Sequence, residues 1–114
     1  MCVTIIHIEK RLINLRVFSA VENNDGTWHI ECRCVIYRAL HGKHPDWARP
    51  TGDAATGYYT KYFLLIEDNI KSMMKAIIKA EELESQYADI VRKCEDSGDW
   101  TDFPYKDNKI IFYK

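Results

Sequence analysis

Apolar and polar residues alternate through the first third of the chain and recur at helical spacing through the last third. Period two is the pattern of a strand with two unlike faces; steps of three and four mark one face of a helix. Residues 2–8 are rich in β-branched side chains (Val3, Thr4, Ile5, Ile6, Ile8), and residues 12–21 place Ile13, Leu15, Val17, Ser19 and Val21 on one face. The charged Glu9-Lys10-Arg11 between them holds no Gly or Pro, so residues 2–21 read as one strand or as two. Asn23-Asn24-Asp25-Gly26 supplies residues that tolerate the positive φ of a tight turn. Beyond it, Trp28, Ile30, Cys32, Cys34 and Ile36 share one face, and His29, Glu31, Arg33, Val35 and Tyr37 the other. The expectation is an antiparallel hairpin of residues 12–21 with 27–38, one face packed and the other largely wet.

Residues 39–57 lose periodicity and hold three of the five glycines and two of the three prolines, which reads as a long loop. Strand character returns over residues 58–66. Asp68 or Asn69 is a suitable N-cap, nothing breaks a helix from residue 70 to 96, and Ser97-Gly98 ends it. Residues 109–113 form a short terminal strand. The chain therefore reads as a single α+β domain over residues 1–114: an antiparallel sheet of four to five strands, one long α-helix packed across one face, and a short C-terminal strand.

A helix over residues 69–96 would be about 42 Å long and would overhang a domain roughly 35 Å across. Ile70, Met73, Ile77, Ala80, Glu84, Tyr87, Val91 and Cys94 step alternately by three and four, a seam with a 3.5-residue period. Three arrangements accommodate it. The front half packs on the sheet and the back half on the C-terminal strand; or the seam joins two copies as a homodimer; or the helix breaks. Lys71, Lys75 and Lys79 form a second stripe in the N-terminal half, where like charges four apart and the helix dipole both disfavour them. Such a stripe suits an acidic partner or phosphates, or is a solvated face.

With 46% hydrophobic and 29% charged residues in 114, the chain has material for a core without metal or disulfide. A formal net charge of -1 gives no overall pull toward nucleic acid or an anionic membrane. No run reaches the roughly 20 apolar residues of a membrane span, and residues 1–8 lack a signal peptide's pattern. The expectation is a cytoplasmic protein with Cys2, Cys32, Cys34 and Cys94 as reduced thiols.

Catalytic and cofactor chemistry finds little footing. Cys32-x-Cys34 followed by His41-x-x-His44 has zinc's ligand types but an unfamiliar spacing, and both thiols share the core face. No nucleophile, base and orienting group can be named together, so no enzyme is expected and no cofactor. Residues 52–57 have a G-x4-G skeleton, but Tyr58 and Tyr59 replace the Lys and Ser/Thr of a phosphate loop, and a strand follows instead of a helix. Asp46, Asp53, Glu67 and Asp68 offer no defined spacing for paired-carboxylate chemistry.

Recognition remains. His41, Lys43, His44, Trp47 and Arg49 concentrate cations and one indole in the loop, and Trp and Arg are frequent interface anchors. Alternatively, Trp47 folds back onto the core. The reading is a stand-alone protein-binding module of inhibitor, immunity or adaptor type, as found in phage and bacterial conflict systems. Its contacts would be this loop and the Lys71, Lys75, Lys79 stripe, its partner a protein of unknown identity. The alternative is a nucleic-acid-binding protein using the lysines and loop aromatics.

Overall fold

The computed structural model describes residues 16–37, 47 and 59–113. In chain order these form β1 (Phe18–Glu22), β2 (Trp28–Tyr37), β3 (Tyr59–Ile70), α1 (Met73–Ser97) and β4 (Ile110–Ile111). The four strands make one antiparallel sheet in the order β1-β2-β3-β4, and α1 lies across β1 and β2. The expected α+β class is the observed one. The strand expected over residues 2–8 and the start of that over 12–21 lie outside the described residues.

The hairpin turn follows its sequence. Gly26 N–H donates to Asn23 C=O at 3.1 Å, and Gly26 then takes φ 88°, so a type I turn is closed by a left-handed glycine. The Asp25 carboxylate accepts from the N–H and hydroxyl of Thr27 at 3.0 and 2.6 Å, which holds that carboxyl below its ordinary value.

The core lies between sheet and helix. Phe18, Cys32 and Leu64 pair in one row across three strands, and each is 0% exposed. Ile30, Cys34, Ile36 and Tyr62 extend this face, and Trp100 and Phe103 close its end. The opposite face of β2 differs from the expected wet surface: His29, Glu31 and Val35 are buried too. A central strand flanked on both edges has less access to water on either side, and here Tyr113 reaches across to hydrogen-bond Glu31.

The strand-to-helix junction also departs from expectation. β3 runs on through Asp68 and Asn69 to Ile70, and Ser72 is the N-cap, accepting from Lys75 N–H at 3.3 Å. The pairing slips between Trp28↔Ile70 and Ile30↔Glu67, a bulge in which Asn69 takes φ 61°. Asn tolerates that region better than most residues. Asp68 accepts from Asn69 N–H at 2.7 Å and from Asn23 Nδ2 at 3.0 Å. The two residues that looked like helix caps therefore pin the bulge to the hairpin turn.

The helix is continuous, which overturns the broken alternative. Its 25 residues span about 38 Å, close to the molecule's longest dimension of 40 Å. Gly98 ends it at φ 76°, donating to Cys94 C=O at 2.8 Å. The buried residues are Ala76, Ala80, Leu83, Ala88, Val91 and Cys94. The seam read from sequence meets the core at Ile70, which ends β3, and within the helix at Ala80, Val91 and Cys94, with Tyr87 half-buried against Phe18 and Tyr105. A 3.5-residue repeat drifts about 20° per heptad on a straight helix. Three heptads before Cys94, Met73 has swung away from the sheet.

Candidate functional site

Trp47 packs inward. Its ring meets Trp100 at 5.3 Å and 71°, Phe103 at 5.8 Å and 49°, and Tyr62 at 6.1 Å and 68°. The edge-to-face contacts among these rings are favourable arrangements of aromatic quadrupoles. Trp47 is half-buried against the core, and its Nε1 is buried with no hydrogen-bond partner among the described residues. A cleft of ≈ 420 Å³ runs beside it between Gly98 and Asp107. This is the folded-back arrangement of the indole, not the outward anchor. The other loop residues named from sequence, His41, Lys43, His44 and Arg49, lie outside the described residues.

Lys71, Lys75 and Lys79 are all exposed. Lys71 precedes the Ser72 cap, so only Lys75 and Lys79 belong to the helix. No acidic residue occupies the first turn to offset the dipole.

Beside the lysines stand four apolar side chains, of which the sequence seam held only Met73 and Ile77. Met73 is 53% exposed, Met74 61%, Ile77 37% and Ile78 50%. Single exposed apolar residues are ordinary, but contiguous ones mark contact surfaces. Four large apolar side chains over two turns of one helix are contiguous. The signal was available in the doublets Met73-Met74 and Ile77-Ile78. Adjacent helical residues diverge by 100°, so one face cannot bury both members of each pair. The small Ala76 and Ala80 are what face the sheet here, 0% and 3% exposed. Between this stretch and β1 runs a groove of ≈ 250 Å³ lined by Arg16, Ser19, Ala20, Ile77, Ala80 and Glu81.

Among the described residues the three thiols, Cys32, Cys34 and Cys94, are all buried. Cys32 and Cys34 are fully buried, their sulfurs 3.8 Å apart. Burial, then the hydrogen bond with Cys32, pushes the Cys34 thiol well above its ordinary value, which opposes the thiolate that zinc or a nucleophile requires. Burial raises Cys94 in the same direction, with Asp99 and Asp102 adding to it. Among the described residues no three His, Cys, Asp or Glu side chains converge on a metal position.

On the outer sheet face, His29 meets Asn23 Oδ1 through Nδ1 at 2.7 Å and Glu31 through Nε2 at 3.0 Å. Tyr113 donates to the same Glu31 oxygen. A groove of ≈ 450 Å³ beside this network is lined by Arg16, Ser19, Glu31, Arg33, Lys61 and Phe63 among others. No serine or cysteine is hydrogen-bonded to His29 or Glu31 within this network, so it ties β2 to the turn and to the C-terminus.

Among the described residues no helix is long and apolar enough to cross a membrane. Comparison with known protein families, with curated proteins and with solved structures finds no match to this chain.

Proposed function

We propose that this chain is a small protein-binding module, of inhibitor, immunity or adaptor type, that meets its partner through the first half of α1. One observation carries the reading: Met73, Met74, Ile77 and Ile78 stand between 37% and 61% exposed on the same two turns as Lys75 and Lys79. Burying such side chains contributes roughly 1.5–3 kcal/mol each when complete, so leaving four in water forgoes much stability unless another surface covers them. Methionine adapts its shape to unlike surfaces and is common at contact sites. The lysines supply long-range attraction to an acidic partner and favour its orientation.

A protein partner is favoured over nucleic acid by the same residues. Stacking on bases needs exposed aromatic rings near the cations; the exposed large side chains on these two helical turns include none, and the Trp47 ring is engaged by Trp100, Phe103 and Tyr62. The exposed side chains beside the lysines are aliphatic and thioether groups, which bury against protein.

Affinity capture from the native host, with wild type against Met74→Asp/Ile78→Asp, tests the proposal. A partner retained by wild type and lost by the variant is the expected result, with unfolding transitions compared to show that both fold. Equal capture by the two proteins overturns this site. Retention on an oligonucleotide at low salt that falls steeply with ionic strength would favour the nucleic-acid reading instead.

A further inference from the structure

We infer that the first half of α1 is self-complementary and that its occupant is a second, antiparallel copy of this chain. The inference rests on the reading that this face is an interface, and it names what covers it.

Charges run in two blocks along this part of the chain, basic and then acidic. Lys71, Lys75 and Lys79 stand at or before the turn of Ile78; exposed Glu81 and Glu82 follow at once. Among the described residues, Lys75, Lys79, Glu81 and Glu82 make no ion pair. Ile77 and Ile78 lie at the boundary between the basic and acidic stretches. A two-fold axis crossing the helix there sets Ile78 near its own copy, and Met74 at the level of the partner's next turn. It also brings the Lys75 of each copy to the level of Glu81 and Glu82 of the other. Lys75 and Glu82 are seven residues apart, two helical turns, so they occupy the same flank. An isologous contact makes every such pair twice. A parallel copy would instead set lysine against lysine and glutamate against glutamate.

The same pairing removes two local costs. Lys75 and Lys79 repel one another at a spacing of four, and Lys75 sits in the first turn, at the positive end of the helix dipole. Acids from an antiparallel copy neutralise both. Met73, Met74, Ile77 and Ile78 form the contact with Lys75 and Glu82 along one margin, while Glu81, four residues after Ile77 and three after Ile78, lies on the apolar face itself at the level of the other copy's Lys75.

Sedimentation velocity on the untagged full chain, from about 1 to about 300 µM at low salt, reads the assembly directly. A monomer–dimer equilibrium within that range is expected. Lys75→Glu alone, and Glu82→Lys alone, should each weaken it by about tenfold, and the double reversal Lys75→Glu/Glu82→Lys should return it to within about threefold of wild type. Circular dichroism checks that each variant keeps its helix. A monomer over the whole range overturns the inference, and so does a dimer that Lys75→Glu leaves unchanged. If the chain is monomeric but Met74→Asp/Ile78→Asp still abolishes capture of a host protein, the face remains an interface and the second copy is excluded as its occupant. If neither dimer nor capture depends on this face, both readings fall.

Discussion

The Glu84 carboxylate accepts the backbone N–H of Phe18 at 2.8 Å and that of Val17 at 3.0 Å. A side chain in the middle of α1 thus takes the place of a neighbouring strand where the chain enters β1. Glu95 does the same three turns later in the helix's second half, accepting Val35 N–H at 2.9 Å where β2 has run past the end of β1. The helix is fastened to the sheet by acids on backbone donors as well as by apolar contact. Buried backbone donors must be satisfied, and charged acceptors make the stronger bonds.

Replacing Glu84 with Ala should leave both N–H groups without that acceptor and lower unfolding free energy by about 2–3 kcal/mol. Glu84→Gln keeps an oxygen acceptor and should cost about 1 kcal/mol, mainly the loss of charge assistance. Urea unfolding of the two variants beside wild type measures the difference. Equal effects would mean that a neutral amide oxygen does not replace the carboxylate on these two donors.

Glu95 carries a pH signature. Burial raises its carboxyl above the ordinary 4.5, and the Val35 N–H and Arg33 pull only partly the other way. A carboxyl raised in the folded state keeps its proton while the unfolded chain has already released it. Its contribution to stability therefore falls as pH rises from about 4.5 through the folded value, and is neutral below both. Glu95→Gln, which cannot ionise, should compare increasingly well with wild type as pH rises from 4 to 7, as read by urea midpoints at both ends. A difference independent of pH would contradict the burial argument.

Tyr113 closes the outer network, and its phenol is pushed up to about 12 by burial and then by its hydrogen bond to Glu31. Tyr105 is also raised to about 12, by burial and its contact with Tyr87. Folded protein holds these protons where the unfolded chain loses them, so stability falls as pH rises from about 10 toward 12. Tyr113→Phe should remove one of the late-titrating phenols in an ultraviolet titration and soften the alkaline loss. At neutral pH it should cost about 1 kcal/mol through the lost hydrogen bond. An unchanged titration curve would show that Tyr113 does not reach Glu31 in solution.

The hairpin, the strand-then-helix order and the Gly98 stop were legible because each rests on local chemistry. Alternation marks β2, Asn-Asp-Gly marks the turn, and glycine's left-handed freedom marks the helix end. The helix start was misread because Asp68 and Asn69 are as good in a bulge as in a cap. What selects the bulge is a bond to Asn23, 45 residues away. Glu84 reads as a flaw in an apolar seam, yet it is where the sheet's backbone donors are met. The surface carrying the functional proposal was half legible: the lysines were in view, and Met73 and Ile77 were on a seam left open between the sheet and a second copy, while Met74 and Ile78 were not singled out.

By itself the chain's pattern determined which segments would be strand and which helix, and therefore the α+β class, because those choices depend on neighbours within a few residues. Only the packed structure decided which helical face meets the sheet, that Trp47 turns inward, and that four apolar side chains stay in water. Those outcomes depend on how a 3.6-residue helix registers against a particular sheet over three turns and more. Residues far apart in sequence set that register together, and no local window contains it.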